Sequence, residues 1–334
     1  MYSVGSSIGA GSLAGDAVAD AAAAAPFAAA HHLHMPRLSF LRRGRLVPDN
    51  SSYVALCLHV KDEHSDIREW VLYHHMIGVD KFYIFDDYSS PPMSVVLHDL
   101  IASGLVDYTF EMGPLPGRLV GTNKQDQAYN YCLHQYGSRH KFMGFIDADE
   151  FVVLARDATL PALLRDYEQY RGLAMFSIGF GSSGHISRPA GGVLASYTKC
   201  APKTPGGYVK SFVQPSKVDR IVDVHTAVYR DGGHAVDVWG REYKGPFEHT
   251  DRPADERAII HHYHARSAED WQRRARRGTN GVGGPPHPIK NFLFINNMSN
   301  QTCGAALPLA ARLAREFGAL LRPPARPGEG GLQV

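Results

Sequence analysis

Two hydrophobic periods alternate along the first half of the chain. Short continuous apolar runs, typical of strands buried on both faces, are followed by segments whose apolar residues recur at helical spacing. Glycine, serine and proline mark several of the boundaries, as in the turn at 87–92. The predicted strands are 53–60, 81–86, 105–112 and 141–147, and the predicted helices between them are 65–79, 93–104 and 123–137.

This order of elements predicts the fold class. Strands that alternate with helices form a parallel sheet with crossover helices, so we expect a three-layer α/β domain. The second half is less regular: 173–180 and 219–229 are predicted strands, with long Gly/Pro stretches between them. We expect this half to complete the sheet and to build the substrate cleft.

The ends of the chain differ in composition from its middle. Residues 1–50 are rich in Ala, Gly and Ser and then in His and Arg, which predicts a disordered or processed arm. Residues 51–303 are expected to form the folded domain. Residues 304–334 are expected to add one amphipathic helix, 307–321, and a flexible Pro/Gly tail.

Composition narrows the function little. The 334 residues carry a formal net charge of +2, which favours neither a nucleic-acid polymer nor an anionic membrane surface. No run approaches the ~20 apolar residues that cross a bilayer. Sequons at Asn50, Asn297 and Asn300 permit a secretory location.

The cysteines also exclude one class of site. None of the four forms a CxxC pair, which disfavours a zinc knuckle or a thioredoxin-type site. Cys57 and Cys132 lie in apolar segments and are interpreted as small core residues. The pattern assigns no disulfide.

The segment FIDADEF (145–151) ends the fourth predicted strand with three acids. Buried carboxylates without partners are costly, and like charges nearby add to the cost. Asp147 and Asp149 share a strand face, so both could reach one Mn²⁺ or Mg²⁺ ion, which would remove the repulsion. Glu150 is expected to bond nearby backbone. The alternative is an acidic turn facing solvent, which the apolar residues on both sides disfavour.

Polar residues also follow the first two strands. Lys61 and Glu63 come after the first strand, and Asp87 comes after the second. Ligands of α/β sheets bind at the carboxyl ends of strands, where these residues could hold a nucleotide base or ribose. The alternatives are acids that favour a helix N-terminus, for Glu63, and ordinary turn chemistry, for Asp87.

A histidine-rich strand offers further metal ligands. His262 and His264 are two residues apart and share a strand face, so one could complete a metal site, with His225 as a rival. Ser267 and Asp270 form a capping box that predicts the start of a helix. Its arginine-rich end is explained by the preference for cations at helix C-termini alone.

Taken in order, these motifs resemble glycosyltransferase family 92 and related family-2-like transferases. The resemblance covers about residues 53–280. Four ordered blocks carry it: KDEHSDIREWVLYHHMIGVDKFYIFDDYSS, QDQAYNYCLHQYGSRHKFMGFIDADEF, VKSFVQPSKVDRIVDVH and HHYHARSAEDWQRRARRG.

The resemblance implies a GT-A type nucleotide-diphospho-sugar transferase fold, with a mixed, mostly parallel central sheet flanked by helices. It implies transfer of a hexose, expected to be galactose, from a UDP-sugar to a glycan or glycoprotein hydroxyl with inversion. Mn²⁺ or Mg²⁺ is the implied cofactor. The expected metal ligands are Asp147, Asp149, His225 and His262, the two histidines being alternatives for one position. The expected nucleotide-binding residues are Lys61, Glu63, Asp87, Asp147 and Lys210. One of Glu248 and Asp251 is the expected catalytic base.

The resemblance also implies a Golgi or other secretory location. Members of the family are usually anchored by an N-terminal transmembrane helix, which this sequence does not show, so a soluble location stays open. Two other functions compete. One is a haloacid-dehalogenase-like phosphatase that uses the D-x-D acids, and the other is an inactive glycan-binding relative.

Overall fold

A mixed sheet of 10 strands forms the centre of the region that the structure describes. The structure is a computed structural model, and it describes residues 52–110, 123–203, 207–245, 255–277 and 288–323. The strands are β1 (Ser52–Val60), β2 (Lys81–Asp86), β3 (Val106–Phe110), β4 (His140–Phe145), β5 (Glu150–Leu154), β6 (Gly172–Gly179), β7 (Lys199–Cys200), β8 (Val209–Val213), β9 (Val218–Ile221), β10 (Ala227–Tyr229), β11 (Ala235–Val236), β12 (Glu242–Tyr243), β13 (Ala258–His262) and β14 (Gln301–Thr302).

Helices cover both faces of this sheet. They are α1 (Ile67–Met76), α2 (Ser94–Ala102), α3 (Lys124–Tyr136), α4 (Leu160–Arg165), α5 (Val193–Ser196), α6 (Ala268–Arg277), α7 (Ile289–Met298) and α8 (Leu307–Phe317).

The sheet is parallel where the sequence pattern is regular. Its order is β12-β11-β6-β8-β4-β1-β2-β3, and β13 joins β6 and β5 beside this path. β1 pairs in parallel with both β2 and β4, and β2 pairs in parallel with β3. β8 runs antiparallel between β4 and β6, which are therefore parallel to each other. The second half of the chain completes the sheet as expected, and the mixed, mostly parallel α/β architecture is confirmed.

Two apolar clusters, one on each face, hold the helices to the sheet. The larger contains Trp70 and Tyr73 of α1, together with residues of α2, α4 and α8. The smaller contains Tyr129 and Leu133 of α3. Helices α1, α2, α3, α4 and α8 each contribute buried apolar residues to one of these clusters, which is the packing expected of three layers.

Two sequence predictions differ from the structure in detail. Residues 219–229 form a hairpin of β9 and β10 rather than one strand. The Asp223 side chain accepts hydrogen bonds from the backbone N–H groups of His225 and Thr226, and this local bonding makes a turn inside the run. The C-terminal helix ends at Phe317, and a 3-10 turn follows it.

Disulfides join all four cysteines. Cys57 of β1 bonds Cys132 of α3, and Cys200 of β7 bonds Cys303 before α8. The prediction that Cys57 and Cys132 are core residues is confirmed, because both are fully buried. Within the described ranges, each helix is too short or too polar to span a bilayer.

Candidate active site

The carboxyl ends of several strands meet at one edge of the sheet and bring the predicted polar residues together. β1, β2 and β4 are parallel, so the segments that follow them lie on the same side. β13 runs antiparallel to β5, with His262 opposite Glu150. The backbone N–H of Tyr263 donates to the Asp149 carbonyl, at 2.8 Å, and extends this pairing by one step. The strand registers therefore place the acids beside the histidines.

Asp147, Glu150 and Lys210 form a cluster that we call the Lys210 cluster. Lys210 comes from β8, which begins at the edge where β4 ends. Its ammonium lies 2.8 Å from Asp147 Oδ2 and 3.0 Å from Glu150 Oε2. Gln125 of α3 donates to Asp147 Oδ1 at 2.6 Å. The backbone N–H of Asp147 donates to Glu150 Oε2 at 3.0 Å, which confirms that Glu150 bonds nearby backbone.

This cluster balances its own charge. Burial, the largest influence, raises the Asp147 pKa, but Lys210 and His262 together offset it, so that the net shift of the pKa is downward. Burial likewise opposes the charge of Lys210, and the two carboxylates outweigh it and raise the Lys210 pKa. Glu150 is the weaker acid of the pair, because burial raises its pKa against the attraction of Lys210. The side chains of Lys210 and Glu150 are each only 1% exposed, so this pair is shielded from solvent, whereas Asp147 lies at the exposed side of the cluster.

Asp149, His262 and His264 form a second cluster, which we call the metal-capable cluster. Each can offer one donor atom, and these three atoms lie within 4.8 Å of one another. His262 Nε2 lies 3.4 Å from Asp149 Oδ1, and His264 Nδ1 lies 3.3 Å from His262 Nε2. The three side chains come from the ends of two adjacent strand segments, so the backbone fixes their spacing.

Positive charge surrounds Asp149. Burial opposes its ionisation, but Arg274 and His262 outweigh burial and hold the Asp149 pKa well below its usual value. Arg274 reaches back from α6 and bonds Asp149 Oδ2 directly. Burial lowers and Asp149 raises the His262 pKa, and the net effect is upward. Asp149 is therefore an ionised carboxylate, although it is almost fully buried.

One carboxylate and two imidazoles fit a transition-metal ion. Mg²⁺ prefers oxygen ligands throughout, whereas imidazole suits the softer divalent ions, so this donor set favours Mn²⁺ over Mg²⁺. Asp147 does not join the group, since its carboxylate is held by Lys210 and Gln125. His225 does not join it either; its Nδ1 lies 2.8 Å from the Val209 carbonyl.

A third group lies at the ends of β1 and β2. Lys61 Nζ donates to the Asp87 carbonyl at 2.9 Å, and Lys124 Nζ lies 2.6 Å from Asp87 Oδ1. Asp87 is 4% exposed. Its second carboxylate oxygen, Oδ2, is buried without a hydrogen-bond partner among the described residues. A buried acceptor of this kind is costly unless a donor reaches it, so a ligand N–H or O–H fits here.

Glu63 belongs to a separate network on the wall of a cavity. Arg266 and Arg277 both bond its carboxylate, at 2.7 Å and 2.9 Å. Burial would raise its pKa, but Arg266 and Arg277 lower it to about 2. The cavity beside this network has a volume of about 410 Å³, and Arg274 lies on its wall.

The capping box is confirmed, and it explains how α6 reaches the site. Ser267 Oγ accepts a hydrogen bond from the Asp270 backbone N–H at 3.0 Å, and Asp270 Oδ2 accepts from Ser267 Oγ at 2.7 Å. α6 therefore begins directly after the histidine segment, and its arginines return toward Asp149. The predicted bases Glu248 and Asp251 lie outside the described residues.

Sequence reasoning left out three residues of the site. The sequence predicts His264 only as an alternative to His262, although their spacing of two residues indicates that both face one side. The sequence pattern explains Arg274 as a cation near the end of a helix. Its position, almost two turns after Ser267, does not predict a contact with Asp149. Lys124 at the start of α3 gave no signal.

The family profile described as Glycosyltransferase family 92 matches residues 52–294. A family 92 protein of Ricinus communis is 29% identical over 174 residues, which cover 49% of this chain and 28% of that protein. One of Oryza sativa subsp. japonica is 28% identical over 169 residues, covering 50% of this chain and 27% of that protein. The match thus spans about a third or less of the length of these relatives.

Solved structures are more distant. S. aureus TarS in complex with UDP is 10% identical with a TM-score of 0.31, and the match covers 49% of this chain and 47% of that one. TarS in complex with UDP-GlcNAc is 11% identical with the same TM-score of 0.31, covering 49% and 46%. Likenesses this distant carry nothing about what this chain binds.

The family profile covers the whole sheet, the Lys210 cluster, the metal-capable cluster and α6. On this match, the chain belongs to glycosyltransferase family 92.

Proposed function

We propose that the protein is a metal-dependent, inverting glycosyltransferase that moves a hexose, galactose, from a UDP-sugar to a hydroxyl of a glycan or glycoprotein. The observation that carries this proposal is the metal-capable cluster, whose donor atoms lie within 4.8 Å of one another at the carboxyl edge of the sheet. Family membership supports the reaction class, and the resemblance of the sequence blocks supports the donor and the inversion.

Each subsite has a role in this reaction. Asp149, His262 and His264 would hold the cation, which would neutralise the charge that develops on the diphosphate leaving group. Asp87 Oδ2 would accept a hydrogen bond from the uracil ring. Asp147, which is 30% exposed despite its bond to Lys210, would accept one from the ribose.

The acceptor hydroxyl needs a base, and Glu248 or Asp251 would supply it. Loss of transfer in Glu248→Gln or in Asp251→Asn, with UDP binding retained, would identify the base. If the double variant still transfers sugar at the native rate, neither residue is the base.

We also propose a Golgi or other secretory location. The two disulfides support it, because disulfides persist in oxidising compartments and are rare in the cytosol. Mass spectrometry of the protein purified under thiol-blocking conditions measures whether the four cysteines are paired. Four alkylated thiols would contradict this location.

Calorimetric titration of UDP tests the proposal first. UDP is added to the purified protein with Mn²⁺, and again with EDTA, for the native chain and for Asp149→Ala. We expect binding that requires both Mn²⁺ and Asp149, followed by preference for UDP-galactose in a donor screen. Absence of UDP binding in every condition would overturn the proposal, and phosphate release from simple phosphoesters would favour the phosphatase instead.

A further inference from the structure

Arg274 occupies an unusual position for a surface helix residue. Its guanidinium bonds Asp149 Oδ2 and also donates to the His264 carbonyl, the latter at 2.6 Å. It thus touches two of the three residues of the metal-capable cluster. A guanidinium and a divalent cation carry the same sign of charge, so they repel each other and compete for one carboxylate. Any cation that binds here must displace Arg274 or share Asp149 with it.

The neighbouring Arg266 shows what a fixed arginine looks like in this site. Arg266 is 7% exposed and is held by the carboxylates of both Glu63 and Asp66. Its approach to Asp149 Oδ2 is longer, at 3.9 Å. Arg266 is therefore committed to its own acids, and moving it would take one of two arginine partners from each of these buried carboxylates, leaving Glu63 with Arg277 and Asp66 with Arg188.

Arg274 is held more lightly. Its side chain is 15% exposed, and among the described residues Asp149 is the one carboxylate that pairs with it. It also lines the cavity of about 410 Å³, where space is available for the guanidinium to turn. Arginine is suited to binding phosphate oxygens, because its planar fork of N–H donors matches their geometry. The same side chain can therefore pair with Asp149 or with an anion in the cavity.

We propose that Arg274 is an exchangeable counter-ion, which neutralises Asp149 in the ligand-free protein and transfers to the diphosphate when nucleotide and cation bind together. This inference rests on the proposed function and adds to it a specific residue that couples the two ligands. In the ligand-free state Asp149 and Arg274 satisfy each other. In the liganded state each has a new partner of opposite charge.

The exchange makes the two ligands cooperative. A cation that binds alone must displace Arg274, which then has no anion to pair with. A diphosphate that binds alone draws Arg274 away and leaves Asp149 without its counter-charge. When both bind, both costs disappear, so each ligand increases the affinity for the other by the same factor.

Removal of Arg274 should therefore have opposite effects on the two ligands. In Arg274→Gln, Mn²⁺ binding without nucleotide should become about tenfold tighter, because the competing charge is gone. UDP binding in saturating Mn²⁺ should become about tenfold weaker, because a phosphate partner is lost. Both figures lie in the range of about 5- to 150-fold that is common for coupled sites.

Two further variants distinguish the exchange of Arg274 from a general effect of removing one positive charge and from an effect on folding. Arg276→Gln removes the same unit charge from α6 at a residue that lines the cavity and has no ion pair with another described residue. It should leave nucleotide-free Mn²⁺ affinity within about twofold, because exposed charges are well screened. Arg274→Lys keeps the charge and should recover part of the coupling.

The measurement is Mn²⁺ binding followed by electron paramagnetic resonance of the free ion, with and without UDP, alongside calorimetry of UDP. Opposite shifts in Arg274→Gln, with the nucleotide-free Mn²⁺ affinity of Arg276→Gln unchanged, would support the exchange. Weaker nucleotide-free Mn²⁺ binding in Arg274→Gln would overturn it, because Arg274 would then support the site structurally. Unchanged coupling would also overturn it while leaving the proposed function intact. If the native chain bound neither ligand in any combination, the proposed function and the exchange would both fall.

Discussion

Asp147 and Asp149 are two residues apart in one segment, yet their surroundings differ in kind. Asp147 is bonded by Lys210, which is 1% exposed and shared with Glu150. Asp149 is bonded by Arg274 from the wall of a cavity and faces His262 and His264. One acid has a buried, permanent counter-charge, whereas the other has a counter-charge that ligands can replace. The chemical identity of an acid in a D-x-D segment therefore does not decide its role; its neighbours do.

The largest expected effect comes from removing the permanent counter-charge. Lys210→Met leaves the buried Glu150 beside Asp147 without a cation, and loss of one partner of a buried ion pair costs about 3–5 kcal/mol. Urea unfolding measures the loss. The matched control is Lys141→Met, whose exposed pair with Glu168, at 3.6 Å, should contribute less than about 1 kcal/mol. Equal losses in the two variants would show that the Lys210 cluster is not a structural unit.

The next effect separates the two acids directly. Asp149→Asn removes a donor of the metal-capable cluster and should weaken Mn²⁺ binding by about a hundredfold. Loss of a residue that only hydrogen-bonds to a metal ligand already weakens metal binding by about 10- to 100-fold, and loss of a ligand should cost at least as much. Asp147→Asn should weaken it by less than about tenfold, because Lys210 and Gln125 hold that carboxylate. Calorimetry of Mn²⁺ compares them. The reverse order would make Asp147 the principal ligand.

Acid pH should remove the stabilisation that the ionised Glu63 carboxylate provides. The Glu63 pKa is about 2, compared with an ordinary value of 4.5. A carboxyl group whose pKa is lowered by folding stabilises the folded state at pH values above the pKa of the unfolded chain. The contribution of Glu63 is thus complete above pH 4.5 and is lost as the pH falls toward 2. The free energy of unfolding of the native protein should exceed that of Glu63→Gln by about 1–3 kcal/mol at pH 7. This difference should become progressively smaller below pH 4.5.

Urea unfolding of both proteins at several pH values measures this difference. The Asp219→Asn variant serves as control, because Asp219 is 51% exposed and pairs with the exposed Arg220. A difference between the native protein and Glu63→Gln that stays constant from neutral to acid pH would show that Glu63 gains no charge stabilisation from Arg266 and Arg277.

The smallest expected effect concerns the histidine that the structure leaves outside the metal-capable cluster. His225→Phe removes a hydrogen bond to the Val209 carbonyl and should lower stability by about 1 kcal/mol. The Mn²⁺ affinity of His225→Phe should stay within about twofold of the native value, whereas that of His264→Phe should fall by about tenfold or more. Manganese titration of the two variants shows which of the two histidines is a metal ligand. A larger loss in His225→Phe would return His225 to the ligand set.

The regular half of the molecule was predictable because local pattern and tertiary position agree there. The predicted strand 81–86 coincides with β2, and the predicted helix 123–137 lies within one residue of α3 at each end. Buried parallel strands are apolar throughout and amphipathic helices repeat at 3.6 residues, so both periods are visible without a structure. The hairpin at 219–229 was missed because the side chain of Asp223, not hydrophobicity, makes its turn.

The sequence by itself determined the fold class, the family and the edge of the sheet at which acids and histidines gather, because these follow from the order of elements and from residues adjacent in the chain. Only the tertiary structure decided which charge pairs with which. Lys210 lies 63 positions from Asp147, and Arg274 lies 125 positions from Asp149. A charge interacts with the groups that are near it in space, whatever their distance along the chain. Strand β8 and helix α6 bring Lys210 and Arg274 to these acids, and the local sequence around each of the two residues does not indicate that contact.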